Sequence, residues 1–313
     1  MRLVFFGTPD FASVCLEKIL TSRHTVKAVV TAPDKPKGRG KKIEPTPVKV
    51  LAQMHGIETL QPDDLKDRTF LEKLQSYNAD LFCVVAFRIL PEEVFCMPPG
   101  GCINLHGSLL PKYRGAAPIN WAIINGETET GLTTFFIRRK VDTGDMLLQS
   151  KLSIGADEIF EELYNRMAVC GGELLIKTID LIETGAYKTQ CQDNTLATPA
   201  PKLTPELGNI DWTKASTDIH NLVRGLSPKP GAYSFLKGRK ILFIQTHLQN
   251  ESAKGNAGEI LMADSQKGLK IACGSGAVEV IKLRPESSKT VSGAEYVRGY
   301  RPRVGEMFER NIG

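Results

Sequence analysis

The sequence lacks the features typical of secreted, zinc-binding and membrane-spanning chains. Its seven cysteines are scattered through 313 residues, and no two of them form a Cys-x-x-Cys pair. This spacing argues against a metal site and against a disulfide framework, and an odd number of cysteines suits a reducing compartment. No apolar run approaches the roughly 18 residues that a membrane span requires. The start of the chain lacks a basic segment followed by a long apolar core, so we predict a cytoplasmic protein without a signal peptide.

Acidic residues are outnumbered in the last third of the chain. From Gly208 to Gly313 there are 16 Lys and Arg residues against 10 Asp and Glu residues, a net charge of +6. Residues 1–207 contain 24 basic and 25 acidic residues, so the overall charge of +5 arises in the C-terminal third. A polyanionic partner would be attracted there. A solvated basic surface without a partner is the alternative, and charge alone does not separate the two.

Apolar residues make up 42% of the chain, which allows a real core, and 313 residues suit two domains. Short apolar runs predict strands at 2–6, 26–31, 80–85, 101–106 and 131–137. Helical patterns occur at about 9–21, 45–55, 67–77, 91–96 and 116–125, with a closing helix near 157–184. This alternation predicts an α/β domain over residues 1–188, with a Rossmann-like, mostly parallel sheet. Ligands of such sheets bind at the carboxyl ends of the strands.

The rest of the chain has a different pattern. Residues 189–207 are rich in proline and polar residues with little periodicity, which predicts a linker. Residues 208–313 form the second predicted domain, with a helix near 215–225. Short apolar runs follow at 233–235, 240–244, 258–261, 269–272 and 277–283. Strands at this spacing, separated by Gly-bearing turns, predict a small β-barrel.

Polar side chains end the buried strand pattern at 101–106. Asn104 and His106 are two residues apart, so a strand places both side chains on one face. An amide donor beside an imidazole suits a carbonyl oxygen that becomes an oxyanion, with a proton to be moved nearby. Asp142 lies in a Gly-containing loop, where a carboxylate can orient the imidazole or pass a proton through water. A structural histidine, a turn-capping Asn104 and an ordinary Asp-Thr-Gly-Asp turn are the alternatives.

A cationic loop is the other conspicuous feature. Five of its eight residues are basic, namely Lys35, Lys37, Arg39, Lys41 and Lys42. Such a run is usually a solvated surface loop. Near the ligand edge of a sheet, a flexible cationic loop can instead grip phosphates and become ordered on binding.

Several of these motifs together resemble the folate-dependent formyltransferases. The similarity is dense between Gly101 and Asp145, where it rests on Asn104, His106, Ser108–Pro111, Tyr113-Arg114-Gly115 and Asp142-Thr-Gly-Asp145. Other segments are similar to those members that act on methionine carried by initiator tRNA: Phe6–Ala12, Pro33–Lys42, Gly115–Ile119 and the additional C-terminal region. The resemblance covers essentially the whole chain and is looser after about Lys202.

The resemblance implies a chemistry and a set of roles. The formyl donor would be 10-formyltetrahydrofolate and the acceptor the amine of initiator methionyl-tRNA. Asn104 and His106 would stabilise the oxyanion while Asp142 positions His106, and no metal would take part. The turn formed by Ser108, Leu109, Leu110 and Pro111 would contact the folate, with Phe87 and Leu90 beside the pterin.

The resemblance also bears on the partners and on the second domain. The cationic loop would contact the tRNA acceptor stem, with Arg39 at the position of an inserted arginine. The C-terminal barrel would be of the OB type and bind tRNA, and we expect a monomer with no membrane contact.

One segment departs from the family pattern. The family usually has Ala-Tyr-Gly-x-Ile-Leu-Pro, whereas this chain has the shorter Ala86-Phe-Arg-Ile-Leu-Pro91, so the pterin pocket wall is expected to differ in detail. Two other functions remain open at this level. A formyltransferase could act on a small amine, such as an amino-sugar nucleotide or glycinamide ribonucleotide. More remotely, the chain could be a non-catalytic RNA-binding protein.

Overall fold

The structure is a computed structural model that describes residues 1–37, 42–249 and 255–310, without the side chains of Lys37 and Lys42. Its contacts separate the chain into two compact units. Unit 1 comprises Met1–Pro118, Gly131–Leu152 and Tyr164–Ala200. Unit 2 comprises Ile119–Thr130, Ser153–Leu163 and Pro201–Gly313. The domain limits 1–188, 189–207 and 208–313 remain a prediction.

Strands and helices alternate through the first 200 residues. The strands are β1 (Arg2–Gly7), β2 (Thr25–Val30), β3 (Lys35–Lys37), β4 (Lys42–Glu44), β5 (Glu58–Leu60), β6 (Leu81–Val85), β7 (Cys102–His106), β8 (Arg114–Gly115), β9 (Glu129–Phe136), β10 (Met146–Ser153) and β11 (Pro199–Ala200). The helices are α1 (Asp10–Leu20), α2 (Pro47–Met54), α3 (Arg68–Ser76), α4 (Glu92–Phe95), α5 (Pro118–Ile124) and α6 (Phe160–Thr184). Every strand and helix predicted here from the sequence is present, with ends that differ by a few residues.

A seven-stranded sheet forms the centre of unit 1, in the order β10-β9-β7-β6-β1-β2-β5. The pairs β1–β2, β1–β6, β2–β5 and β6–β7 are parallel, whereas β7 and β9 are antiparallel. The predicted mostly parallel, Rossmann-like sheet is therefore confirmed. Strands β1 and β6 are buried almost throughout, which explains their continuous apolar sequences.

Two side-chain caps illustrate why the helices begin where they do. Thr46 accepts a hydrogen bond from the Lys49 backbone N–H at the start of α2, where Pro47 occupies the first turn. Asp67 accepts one from the Phe70 backbone N–H at the start of α3. These contacts satisfy amide groups that have no partner within the helix.

The short strands that we predicted as a small β-barrel are present in unit 2, where they form an antiparallel sheet. Its elements in the last third of the chain are α7 (Ser216–Leu226), β12 (Ala232–Leu236), β13 (Arg239–Gln249), β14 (Ile260–Asp264), β15 (Gly268–Ala272), β16 (Ala277–Pro285), β17 (Val291–Ser292) and α8 (Gly293–Tyr300). The strand order is β12-β13-β16-β15-β14, with β17 paired to β16. Trp212 packs against Phe243 and Phe308 in the core.

Helix α8 was not predicted from the sequence, although its first turn carries a signal. Ser292 and Glu295 form a reciprocal capping box at its start. The spacing Ser-x-x-Glu is the sequence signature of this cap. Of the helices in the described ranges, none is long and apolar enough to cross a membrane.

Candidate active site

Strand β7 places Asn104 and His106 at one face of the sheet in unit 1. Their neighbours Ile103 and Leu105 point to the opposite face and are buried, as strand alternation requires. Asn104 is paired in register with Val84 of the parallel strand β6. Within the described part of the chain, the Asn104 side-chain amide has no hydrogen-bond partner. It is therefore a free donor on the face that it shares with His106.

The imidazole of His106 is 6% exposed and held from one side. Its Nε2 lies 2.8 Å from the carbonyl oxygen of Tyr113. Because a carbonyl oxygen can only accept, Nε2 must donate, and in the neutral ring Nδ1 then carries the lone pair. Nδ1 lies 3.8 Å from Oδ2 of Asp142, beyond direct hydrogen-bond range. The ring thus has one fixed nitrogen and one nitrogen that can take up a proton.

Asp142 occupies a turn with left-handed backbone geometry, at φ 52°. Its Oδ2 accepts a hydrogen bond of 2.9 Å from the Gly115 backbone N–H. Gly115 itself has φ 127°, and a Cβ there would lie 2.5 Å from the Ala200 carbonyl oxygen, so the position requires glycine. The short segment Tyr113–Gly115 therefore holds both His106 and Asp142. The structure brings together the three residues that we predicted, while their catalytic roles remain a prediction.

Thiols next to the site are unsuited to nucleophilic attack. Cys83 lies on β6 and Cys102 on β7, and both are buried. Burial raises the pKa of Cys83 to about 12 and raises that of Cys102 well above its usual range. Because the thiolate is the reactive form, both side chains stay protonated and unreactive. This agrees with direct attack by an amine.

The turn Ser108–Pro111, predicted to contact folate, is fixed by strand side chains. Thr133 donates to the Ser108 carbonyl oxygen at 2.7 Å and accepts from the Leu110 backbone N–H at 3.1 Å. Gln149 donates to the Leu110 carbonyl oxygen at 2.9 Å. Leu110 is buried, whereas Leu109 and Pro111 are half-buried. Those two are the members of the turn with side-chain surface to offer a ligand.

The two predicted pterin-wall residues differ in exposure. Leu90 is 5% exposed and belongs to the hydrophobic core, whereas Phe87 is half-buried at its edge and packs against Phe6. Arg88, at the departure from the family pattern, donates to the carbonyl oxygens of Pro62 and Asp63. Arg88 thus fastens its own loop to the segment that contains Pro62 and Asp63.

The cationic loop is described only in part. Lys35 is exposed in β3, which pairs with β4 as an antiparallel hairpin. Arg39 and Lys41 lie outside the described residues, as do the side chains of Lys37 and Lys42. Their predicted tRNA contacts remain predictions.

Polar groups anchor the base of this loop. Lys49 pairs with Asp34 at 2.5 Å, and Gln61 bonds to Asp34 at 2.7 Å and to Lys49 at 2.7 Å. Hydrogen bonds from Lys49 and then Gln61 lower the pKa of Asp34. The base of the loop at Asp34 is therefore fixed by hydrogen bonds, whereas the residues predicted to contact tRNA follow it, from Lys35 onward.

Among the described residues, one group of three has ligand atoms close enough to hold a metal ion: His24, Asp180 and Glu183. Its carboxylates already pair with Arg23, at 2.7 Å each, and Glu183 also pairs with the terminal amine at 2.6 Å. We assign no metal to it.

Sequence reasoning missed the residues that support the site. Thr133, Gln149 and Gln192 contact the turn and loop that carry the predicted residues. Gln192 lies in the segment that we predicted as a linker, where no periodicity marks a contact. Thr133 lies on a predicted strand, but its partner could be identified only from the strand order.

Comparisons with known proteins agree along the whole chain. A family model described as formyl transferase matches residues 1–179, and one described as formyl transferase, C-terminal domain, matches residues 202–301. The methionyl-tRNA formyltransferase of Citrifermentans bemidjiense is 44% identical over 98% of this chain and 96% of its own length. That of Acetivibrio thermocellus is also 44% identical, over 98% of this chain and 99% of its own length.

Solved structures share the fold at low identity. WlaRD, a sugar 3N-formyl transferase determined with dTDP and 5-N-formyl-THF, has a TM-score of 0.67 and 20% identity. The match covers 92% of this chain and 99% of WlaRD. HypX from Aquifex aeolicus, in complex with tetrahydrofolic acid, has a TM-score of 0.65 and 22% identity. That match covers 98% of this chain and 48% of HypX.

Proposed function

The chain belongs to the formyl transferase family, and from that premise we propose that it formylates methionine on initiator tRNA. The formyl donor is 10-formyltetrahydrofolate, and the product is N-formylmethionyl-tRNA for translation initiation. The observation that carries the proposal is the His106–Asp142 pair beside the free amide of Asn104. The full-length similarity to methionyl-tRNA formyltransferases supports the acceptor.

The chemistry follows from the hydrogen bonding of the three residues. The neutral amine of methionine attacks the formyl carbon, and a tetrahedral intermediate with an oxyanion forms. The Asn104 amide donates to that oxygen, which a preorganised donor stabilises more than it stabilises the ground-state carbonyl. The C–N10 bond then breaks, leaving tetrahydrofolate and the formylated amine. No covalent enzyme intermediate is needed because the donor is already activated.

His106 and Asp142 manage the proton. The amine nitrogen loses a proton as the new bond forms, and N10 gains one as the old bond breaks. His106 Nδ1 is oriented for this transfer by the Nε2 contact with Tyr113, and Asp142 faces it across 3.8 Å. The charged imidazole formed in this step is stabilised by Asp142 and stabilises the oxyanion in turn. Asp142 and water carry the proton on to N10.

The donor would lie against the fixed turn of unit 1. Leu109 and Pro111 present apolar surface to the folate, with Ser108 and Leu110 as buried supports. Phe87 contributes the wall beside the pterin, and Leu90 supports Phe87 from the core. Arg88 holds that wall through the carbonyl oxygens of Pro62 and Asp63.

The acceptor is recognised through its phosphates. Lys35, Lys37, Arg39, Lys41 and Lys42 would contact the acceptor stem, with Arg39 inserted to place the methionyl end. The net charge of +6 between Gly208 and Gly313 supports a backbone-binding surface in that region. A tRNA acceptor also supports a cytoplasmic location, and we propose that the enzyme acts as a monomer.

The test is a panel of acceptors under single-turnover conditions. The protein is incubated with 10-formyltetrahydrofolate and charged initiator tRNA, uncharged initiator tRNA, an amino-sugar nucleotide or glycinamide ribonucleotide. We expect N-formylation of charged tRNA alone. Faster formylation of a small amine would contradict the proposed acceptor. If none of the acceptors is formylated, the proposal that the protein is an enzyme is contradicted.

A further inference from the structure

A glutamine outside the predicted catalytic set binds the loop that carries Asp142. Gln192 Nε2 donates to two backbone carbonyl oxygens of that loop, at 3.0 Å to Asp142 and 2.8 Å to Gly144. One amide group thus fixes the peptide plane between Asp142 and Thr143 and the plane between Gly144 and Asp145. Gln192 lies in the segment 189–207 that we predicted as a linker, and residues 189–200 of that segment belong to unit 1 with the site.

Arg114 determines which way the Gln192 amide points. Arg114 Nε and Nη2 donate to Gln192 Oε1 at 3.0 and 2.6 Å. A guanidinium has no acceptor, so Oε1 must face Arg114 and Nε2 must face the carbonyl oxygens of the loop. Reversing the amide would oppose donors to donors and acceptors to acceptors. The orientation is therefore set by the chemistry of its neighbours.

Arg114 also lies between the two residues that hold the catalytic pair. Tyr113 accepts the hydrogen bond from His106, and Gly115 donates to Asp142. The same segment is tied to residues 198–200, since β8 pairs with β11 and the Tyr113 N–H donates to Thr198 Oγ1 at 2.9 Å. The guanidinium of Arg114 and the amide of Gln192 thus connect the backbone that positions His106 with the loop that positions Asp142.

The distance that matters is the 3.8 Å between His106 Nδ1 and Asp142 Oδ2. Asp142 is held at φ 52°, a conformation that few residues adopt without support. A rotation of its peptide planes would move the carboxylate relative to the ring, and an error of an ångström can cost about 10²-fold in rate. We propose that Gln192, oriented by Arg114, is a positioning residue that holds Asp142 against His106. This proposal rests on the proposed function, because it takes the role of Asp142 from there.

Gln192→Glu tests the donor half of this contact. The variant keeps an acceptor for Arg114 but turns an oxygen toward the Asp142 and Gly144 carbonyl oxygens. We expect kcat to fall about 10- to 100-fold, with KM for donor and tRNA changed less than about threefold. Gln192→Met, which keeps the volume and removes all four hydrogen bonds, should show the same pattern if Gln192→Glu folds poorly.

The matched control is Asn194→Ala. Asn194 accepts from Arg114 Nη1 at 2.9 Å and makes no hydrogen bond to the Asp142 loop among the described residues. Its loss removes a tether of the same segment, so kcat should stay within about threefold of the wild-type value. Equal losses in kcat for Asn194→Ala and Gln192→Glu would overturn the proposal in favour of general loop anchoring.

A double-mutant cycle separates positioning from stability. In an Asp142→Asn background, Gln192→Glu should cost little further kcat, because the carboxylate that it positions is already gone. Losses that multiply would overturn the proposal. A large loss of kcat for Asp142→Asn together with an unchanged kcat for Gln192→Glu would overturn only the positioning role of Gln192. A silent Asp142→Asn variant would overturn both this inference and the proposed mechanism.

Discussion

His106 in unit 1 and His220 in unit 2 are both buried, at 6% and 2% exposure, yet their hydrogen bonding differs. His220 has a neutral hydrogen-bond partner at each nitrogen, with Thr246 Oγ1 and the Ala156 carbonyl oxygen both at 3.0 Å, and Asp157 Oδ1 also lies 3.5 Å from its Nε2. His106 has one such partner, and its other nitrogen faces a carboxylate beyond bonding range. A ring with both nitrogens hydrogen-bonded has no nitrogen available, whereas a ring with one nitrogen left open toward a carboxylate can exchange a proton.

Two asparagines, the buried Asn120 and the half-buried Asn104, repeat the contrast. Asn120 in unit 2 donates to the Gly225 carbonyl oxygen at 2.8 Å. The Asn104 amide in unit 1 has no partner among the described residues. Unpaired polar groups cost stability, so a folded protein retains them mainly where they are used. The free Asn104 amide supports the proposed location of catalysis in unit 1.

The largest expected effect is on kcat, when His106 and His220 are each replaced by alanine in separate variants. His106→Ala should lower kcat about 10²- to 10⁴-fold, because it removes the proton-transferring group, and should lower the free energy of unfolding less than His220→Ala does, because it removes one hydrogen bond rather than two. His220→Ala should lower the free energy of unfolding by about 1–3 kcal/mol while kcat per folded enzyme stays unchanged. Steady-state kinetics and urea unfolding of both variants measure this. Similar profiles for the two variants would contradict the distinction.

We expect the same division between Asn104 and Asn120, with a loss of kcat for the first and a loss of stability for the second. Asn104→Ala removes the proposed oxyanion donor and should lower kcat about 10²- to 10³-fold, with the folate dissociation constant preserved. Asn120→Ala should instead affect unfolding and leave kcat near the wild-type value. Donor binding measured by equilibrium titration, together with kcat, checks both. Weaker folate binding by Asn104→Ala at unchanged kcat would assign Asn104 to the donor pocket.

The cationic loop should give intermediate effects on tRNA use alone. Arg39→Ala should lower kcat/KM for charged tRNA by up to about 10²-fold, since it misplaces the amine. Lys35→Ala and Lys37→Ala should cost less, and their effects should shrink as salt rises. Assays at several salt concentrations distinguish the two kinds of contact. Equal magnitude and salt dependence for Arg39→Ala and Lys37→Ala would refute a positional role for Arg39.

The smallest effect is a pH dependence confined to His220. Burial is the main cause that lowers the pKa of His220, and Arg224 lowers this pKa further. The hydrogen bond to Ala156 and the charge of Asp157 act in the opposite direction and raise it. A lowered pKa in the folded state means that protons bind the unfolded chain more tightly, so this stabilisation is present above the ordinary histidine pKa. It is lost as the pH falls below that value.

The stability difference between the wild-type protein and His220→Gln should therefore be larger at pH 7.5 than at pH 5. Denaturant unfolding at the two pH values measures it. Because both proteins share every other titrating group, the comparison isolates His220. A difference that grows toward pH 5 would show that His220 is stabilised in its charged form instead.

Sequence patterns predicted most of the fold and the members of the site, but not its supports. Strands β1 and β6 have continuous apolar runs and β2 and β7 are mostly apolar, which local sequence reveals. Strand β5, only three residues long, and strand β10, with its polar Gln149 and Lys151, lack such a run and were not predicted. The contact of Gln192 with the Asp142 loop joins residues 50 positions apart, so it depends on tertiary structure alone.

The sequence indicates where the site residues lie more readily than it indicates their chemical roles. The Asn104 and His106 spacing predicted a shared face, which the strand geometry reproduces. The 3.8 Å separation of His106 and Asp142, and the Tyr113 carbonyl oxygen that fixes the ring, required the fold. Local patterns specify which groups reach a face of the sheet, whereas long-range contacts decide whether those groups are satisfied or left reactive.

The most direct measurement is the single-turnover formylation rate of Asp142→Asn, with donor and charged initiator tRNA both saturating. The substitution keeps the shape of the side chain and an oxygen for the Gly115 N–H, and removes only the charge that faces His106. We expect a rate at least about 10²-fold below that of the wild-type protein, with both dissociation constants unchanged. A rate within a few-fold of wild type would contradict the role of the His106–Asp142 pair and, with it, the proposed mechanism.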